Sequence, residues 1–523
     1  MKDRILIFDT LMRDGEQAGH PMSVSTKVAI ARRLERLNVD IIEFGFPISS
    51  AAEIEAGIEI SKAVSKPILC ALAGVRQSHI EAAVRSLEFA KKPRIHVFVS
   101  TSDRHIKNKL QSTREQVLEW IHNEVRRAKQ YFSDIQFSAE DATRTDPDYL
   151  IETFKVAVDA GANTLNVPDT GGYFQPIEYG ELIDEIYIIT PREVVIAAHC
   201  HDDLGLAVAN SLAGIRNGAN QVEGCFLGIG ERAGNAALEE IIMALHTRGD
   251  FYEGLSTGIN LSELWPFLNF LSGEIGYPIP FHKAIAGANA FGHSSGIHAD
   301  GVLKDRLTYE IMKPEEINWQ GSEGSLTSHL GEAGLADRLK KLGYDDLDLA
   351  SQIISEFKAL GNIVGRMSND DLHMLIQEYY SKKEMVEHNL FAFSNDGISF
   401  ASTAGVNNGT VVIQKGGLNY SAHAVGDGPV DAVCNAIDLA LTSNNLLIIT
   451  DKEVQFNVIH GSGGSEALGS VRAKVKIGDD IGYGRASDIN LVKAYARAYL
   501  DAFNHLMHVP VSEEKEELRK VYD

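Results

Sequence analysis

Cysteine is scarce in this chain. The four that occur, Cys70, Cys200, Cys225 and Cys434, are scattered, with no C-x-x-C pair and no regular spacing. That excludes a disulfide framework and suits a reducing compartment. Positive charge is also in deficit, because 49 Lys and Arg stand against 72 Asp and Glu for a formal net charge of −23. Such a balance disfavours nucleic acid or an anionic membrane as the main partner and reads as an acidic, soluble cytosolic surface. No apolar run reaches the length of a membrane span, and the first apolar segment begins within four residues of the N-terminus, which leaves no room for a signal peptide. The expectation is a cytoplasmic protein. Its 523 residues exceed what one core organises, so two or three domains are expected.

What the first half has instead is alternation. Strand-like apolar runs lie near 4–9, 40–46, 67–73, 94–100, 135–140, 164–168, 193–199 and 221–226. Amphipathic helical stretches separate them, at 25–37, 51–64, 78–89, 113–130, 148–160, 178–188, 207–217 and 235–246. Eight strand and helix units in about 250 residues predict an α/β fold, a (β/α)8 TIM barrel, whose active site collects at the C-terminal ends of the strands.

The polar clusters fall at those ends. Arg13 and Asp14 follow strand one, Glu43 lies in strand two, His96 in strand four, Ser138 and Glu140 in strand five, Thr170 after strand six, and His199 and His201 at strand seven. In an extended segment residues i and i+2 face the same way, so His199 and His201 offer two imidazoles to one point. Joined by a carboxylate such as Asp14, they make a divalent-metal set. The alternative is a pair that only hydrogen-bonds locally.

Past residue 250 the periodicity changes. The Gly- and His-rich stretch 284–301, with Gly292-His293-Ser294-Ser295-Gly296-Ile297-His298 at its centre, is either a flexible connector or an active-site loop. Short helices fill 329–385. From about 388 two similar modules follow, each of several strands feeding a Gly-marked helix start: Gly426-Asp427-Gly428-Pro429 in the first, Gly482-Tyr483-Gly484-Arg485 in the second. The predicted division is a barrel at 1–272, linker subdomains at 273–387 and an α+β domain of regulatory type at 388–523.

The run Phe8-Asp9-Thr10-Leu11-Met12-Arg13-Asp14-Gly15-Glu16-Gln17 resembles the opening signature of the 2-isopropylmalate, homocitrate and citramalate synthase family, with Leu11 and Met12 in place of the usual Thr and Leu. The segment His199-Cys200-His201-Asp202-Asp203-Leu204-Gly205, continuing to Gly228-Ile229-Gly230-Glu231-Arg232-Ala233-Gly234-Asn235, resembles the HxH signature of the same family. The resemblance runs on through His298, Lys304 and Tyr309-Glu310-Ile311-Met312, and the two modules are similar to its leucine-binding domain. It covers essentially the whole chain, most closely the shorter bacterial form of 2-isopropylmalate synthase.

The resemblance implies condensation of acetyl-CoA with 3-methyl-2-oxobutanoate and water to give (2S)-2-isopropylmalate and CoA, the first step of leucine synthesis. It implies that Asp14, His199 and His201 hold Mn2+ or Mg2+, with Asn235 at the ion and K+ as a candidate activator. As the residue opening the last barrel helix, Asn235 is alternatively an N-cap. Arg13 would stabilise the alkoxide formed at the keto oxygen, its alternative being an ion pair with Glu16. Glu140 and His298 are implied as acid and base, with the removal of the methyl proton open between them. Tyr309 would stand with His298 at the acetyl-CoA end, reaching into a second copy's barrel, which makes the Gly- and His-rich stretch an active-site loop. His96, Ser138 and Thr170 match positions around the 2-oxo acid. Gly426, Gly428, Gly482 and Gly484 match effector loops for leucine as inhibitor, in a homodimer or dimer-based tetramer.

Citramalate synthase, homocitrate synthase and a silent metabolite-binding barrel are the alternatives. No histidine or arginine in strands two and three stands ready to pair a distal carboxylate, which favours a branched apolar substrate. The chain departs from the family at Leu330 and Glu332, where Ser-Gly-Arg is usual nearby, and at Gly74, where close relatives usually carry arginine. These changes bear on linker contacts and regulatory coupling.

Overall fold

Eight short strands, β1 (Leu6–Asp9), β2 (Ile41–Glu43), β3 (Ile68–Gly74), β4 (Pro93–Ser100), β5 (Asp134–Glu140), β6 (Thr164–Asp169), β7 (Val195–Cys200) and β8 (Gln221–Gly224), pair in parallel and in sequence order. β1 closes on β8, with Leu6 opposite Gln221 and Asp9 opposite Gly224. The expected TIM barrel is what forms. The computed structural model describes residues 4–293, 301–302, 304–320, 330–344, 348–364, 367, 369–384, 391–403, 405–459, 469–478 and 480–506. Among these, no helix is long and apolar enough to cross a membrane.

Local signals set the barrel helices. Ser23 caps Val24–Leu37 by accepting from the Thr26 N–H, Asn38 ends it at φ 66°, and Ile30, Ala31, Leu34 and Leu37 form its buried face. Lys27 on that helix is 1% exposed, and its ammonium meets Glu16 at 2.7 Å, Glu53 at 2.5 Å and the carbonyls of Met12 and Phe44. It therefore fastens the loop after β1.

Barrel interiors are ordinarily layered with branched apolar side chains. This one carries a polar network inside it. Arg94 of β4 reaches Gln221 of β8 at 2.9 Å, Gln136 of β5 reaches Glu223 of β8 at 2.5 Å, and Asn166 of β6 reaches Glu223 at 2.9 Å. These bonds cross the barrel, so the residues point inward.

By its contacts the chain divides into two units, one of residues 1–292 and 305–324, the other of 293–304 and 325–523. In the second unit the helices Glu332–Lys341, Leu349–Val364 and Asn369–Glu384 share a core of Leu335, Leu339, Ile353, Phe357, Leu372 and Ile376. The departures in this region have structural reasons. Leu330 is buried in that core, and Glu332 opens the first helix, where an acidic side chain complements the helix dipole.

The two modules are also present. β9 (Ala392–Thr403), β10 (Val406–Lys415) and β11 (Leu418–Gly426) form one antiparallel sheet, and β12 (Lys452–Ile459), β13 (Gly469–Ile477) and β14 (Asp480–Asp488) the other. Each is followed by a helix, Pro429–Ser443 or Leu491–Leu506, and all share one core around Val411, Ile437, Val471 and Phe503.

Candidate active site

Three donor atoms converge above β1 and β7. Nε2 of His199 and Nε2 of His201 lie 3.1 Å apart, and 3.7 and 3.6 Å from Oδ2 of Asp14. Three ligands about 2.1 Å from one ion stand about 3.0–3.4 Å from one another, so the triangle has the size of a metal site. All three residues are at most 5% exposed. Burial would raise the Asp14 carboxyl, but the Arg13 guanidinium and a hydrogen bond from His201 hold it well below the usual carboxylate range. Burial and the neighbouring His201 push the His199 imidazole down to about 3, which keeps it neutral and able to ligate.

The buried atoms left without partners point to the same place. Oδ1 of Asp14 and Oδ1 of Asn235 are buried acceptors with no hydrogen bond. Asn235 does not open the last barrel helix, which starts at Leu238 behind the cap residue Ala237. Its N-cap alternative therefore falls. Asn235 instead forms a backbone bridge to His201, at the end of a loop in which Gly234 takes φ +103° and a Cβ would stand 2.0 Å from the Gly228 carbonyl oxygen. His201 Nδ1 lies 3.0 Å from Arg232 Nη2. Were Nε2 to ligate an ion, Nδ1 would carry the proton, and Arg232 would be left with the bonds it already makes to Asp203 and the Thr170 carbonyl.

Arg13 is not paired with Glu16, which belongs to Lys27. Its Nε donates to Glu43 Oε2 at 2.6 Å and its Nη1 to Asp14 Oδ2 at 3.0 Å. Glu43 is the hub here, accepting also from Thr10 at 2.8 Å and bonding His96 Nδ1 at 2.6 Å. Burial works against its charge, but Arg13 and His96 outweigh it and hold the carboxyl at about 2. Glu43, Cys70 and His96 also lie close enough to suggest a second ion. Glu43 and His96 are already engaged with each other, Thr10, Arg13 and Ser138, so these two residues read as a hydrogen-bonded network instead.

The other sequence-predicted residues fall into separate settings. His96 Nε2 lies 2.5 Å from Ser138 Oγ, which accepts from Asn166 at 2.7 Å, so both belong to the interior network. Thr170 Oγ1 accepts from the Asp141 N–H, holding that residue at φ 67°. Glu140 bonds Lys109 at 2.6 and 2.9 Å and Ser100 at 2.7 Å, and none of these partners is in the triad. Tyr309 closes the turn Arg306–Thr308 and is 42% exposed. His298 lies outside the described residues.

One expectation about the C-terminal glycines needs correction. Gly482 and Gly484 are not in a loop at a helix start: they lie within β14, where a Cβ would stand 2.1 Å from the Ala502 carbonyl oxygen and 2.0 Å from that of Ala498. They are glycines because the last helix packs onto the strand backbone. Gly426 ends β11 and Gly428 caps the helix Pro429–Ser443, as a loop before a helix requires. Neither β2 nor β3 carries a histidine or arginine, but basic groups stand just beyond β3. His79, from the following helix, accepts the Gly74 N–H at 3.2 Å, and with Arg76, Lys109 and Glu140 it lines a cavity of about 440 Å³.

Missed altogether were Gln136, Asn166, Gln221 and Glu223. Their signal was available, since polar residues recur at every second position of strands that are otherwise apolar, as in Gln136 and Ser138 or Gln221 and Glu223.

Residues 4–271 match the HMGL-like family, 285–364 the Homocitrate synthase post-HMGL domain-like family, and 366–507 the LeuA allosteric (dimerisation) domain. The chain is 42% identical to the 2-isopropylmalate synthase of Pelotomaculum thermopropionicum over 516 residues, covering 97% of this chain and 99% of that one. It is 43% identical to the 2-isopropylmalate synthase of Carboxydothermus hydrogenoformans over 514 residues, covering 97% and 98%. The chain belongs to the 2-isopropylmalate synthase family. The solved hydroxymethylglutaryl-CoA lyase of Pseudomonas aeruginosa is similar at 20% identity and a TM-score of 0.47, covering 53% of this chain and 95% of that one. Family membership and the converging donors together make this a divalent-metal enzyme.

Proposed function

We propose that this chain condenses acetyl-CoA with 3-methyl-2-oxobutanoate and water, releasing (2S)-2-isopropylmalate and CoA. The observation that carries the reading is the Asp14, His199 and His201 triangle with two unpartnered buried oxygens beside it and the Arg13 guanidinium at its edge. Asp14, His199, His201 and Asn235 would hold Mg2+ or Mn2+. Once bound, the ion supplies Lewis acidity toward the keto oxygen and a template for the 2-oxo acid.

The chain's own groups do the rest. Arg13, clamped between Glu43 and Asp14, keeps further N–H groups for an oxygen that gains charge. Thr170 accepts the Asp141 N–H and keeps its own hydrogen to donate to the substrate. His96 and Ser138 set the floor of the 2-oxo acid site. Glu140 and His298 share the acid and base work, with Tyr309 beside the thioester. Because Lys109 occupies both oxygens of Glu140, a proton moved to Glu140 displaces a bond to Lys109.

The assembly is a dimer or dimer-based tetramer, with K+ as activator and leucine as inhibitor at the Gly426 to Gly428 loop. The four described cysteines are free and buried, in keeping with a cytoplasmic setting. Boundaries near 272 and 387 separate the barrel, the linker and the regulatory domain. The test is thiol release from acetyl-CoA, run on 3-methyl-2-oxobutanoate, pyruvate, 2-oxobutanoate and 2-oxoglutarate, with and without chelator. The branched acid is expected to win and chelation to abolish turnover. A preference for pyruvate or 2-oxoglutarate, or undiminished turnover without metal, would overturn the reading.

A further inference from the structure

Glu223 is a buried carboxylate that the proposed chemistry does not use. It sits on β8, is fully buried, and lies in the barrel directly behind His199. All three of its hydrogen-bond partners are donors. Gln136 Nε2 donates to Oε1 at 2.5 Å, Gln221 Nε2 to Oε1 at 3.1 Å, and Asn166 Nδ2 to Oε2 at 2.9 Å. The fourth neighbour is His199 Nδ1, 3.5 Å from Oε2. That nitrogen is buried and has no hydrogen-bond partner, and His199 is 5% exposed.

The geometry points to Glu223 as a positioning residue for metal binding: its carboxylate takes the Nδ1 proton of His199 as a hydrogen bond and so turns the Nε2 lone pair toward Asp14 and His201. Ligating histidines commonly donate their other ring nitrogen to a carboxylate, which fixes the tautomer and the ring. Only an acceptor-only group meets four donors, and a carboxylate is the side chain that offers this. His201 lacks such a partner, because its Nδ1 faces the Arg232 guanidinium. The two imidazoles are therefore held differently. His199 is oriented by the barrel interior, and His201 is oriented by the loop that carries Arg232.

The inference rests on the metal reading proposed above, and the experiment separates the two. Full-length protein stripped with chelator is titrated calorimetrically with Mn2+, and its Co2+ form is followed by visible absorption. Parent protein that binds no Mn2+ refutes the metal reading itself. In E223Q the amide must turn its NH2 against either the two glutamine donors or the Asn166 and His199 pair. Mn2+ affinity is expected to fall about 10–100-fold, with an altered Co2+ band. The comparison is N166A, which removes a donor from the same carboxylate but leaves His199 its acceptor, and which is expected to hold Mn2+ within about threefold of the parent. If E223Q binds as tightly as the parent with an unchanged Co2+ band, or if N166A weakens binding as much as E223Q, the assignment to Glu223 is wrong. Should E223Q lose its cooperative melt, the same titration on E223D decides, with a loss of at least tenfold expected from withdrawing the carboxylate by one methylene.

Discussion

Replacing Arg13 by lysine separates charge from geometry at the site. The guanidinium spends Nε on Glu43 at 2.6 Å and one Nη1 hydrogen on Asp14 at 3.0 Å, so two of its five N–H groups hold it in place and three remain to face a reacting oxygen. A lysine ammonium keeps the charge but is a single point, unable to bridge both carboxylates and still aim at a third oxygen. Loss of one donor directed at a developing oxyanion costs about 10²–10³ in kcat, or about 2.7–4 kcal/mol. R13K is therefore expected to lower kcat for thiol release by that factor while leaving KM for the 2-oxo acid within about threefold. Lysine is chosen over alanine because Glu43 is fully buried, and stripping it of its cation would cost about 3–5 kcal/mol of stability. Calorimetric melting should place R13K within a few degrees of the parent. If R13K retains kcat within a factor of three, the guanidinium is not stabilising charge in the transition state and the argument for Arg13 fails.

Three further outcomes follow from the coordinates. Burial pushes the Asp9 carboxyl up to about 7 against bonds from the Leu11 and Phe226 N–H groups, so its contribution to stability is full below its ordinary value near 3.8 and is lost as pH rises through 7. D9N removes that titration and should gain on the parent in unfolding free energy from pH 5 to pH 8, by up to about 3 kcal/mol; a constant difference across that range would show that Asp9 does not titrate there. K27M leaves Glu16 and Glu53 without their buried cation and is expected to cost about 3 kcal/mol in denaturant melts and to loosen the loop carrying Arg13; a variant as stable as the parent would refute that anchoring role. G484A drives a methyl against the Ala498 carbonyl and should destabilise the C-terminal unit by about 1–3 kcal/mol in hydrogen exchange, where unchanged protection would contradict the packing reason given for that glycine.

Much of the fold and the heart of the site were legible in the chain because they depend on local order. The eightfold alternation predicts the barrel, since each strand and helix declares its own period. The pairing of His199 with His201 is equally local, because two residues apart on a strand share a face. The module duplication was visible as repeated strands feeding Gly-marked helices, although the same local reading misplaced Gly482 and Gly484, whose reason is a helix lying on their strand.

Tertiary structure decided everything that required closure of the sheet. Glu43 meets Arg13 across 30 residues of sequence, Gln136 meets Glu223 across 87, and Asn235 comes to His201 only when the loop after β8 folds back on β7. Helix and strand periods say which way a side chain points from its own element, but not which of eight elements stands opposite. Which carboxylates Arg13 and Lys27 neutralise and which one stands behind His199 are set by the strand that comes to lie beside each, and no segment carries that pairing on its own.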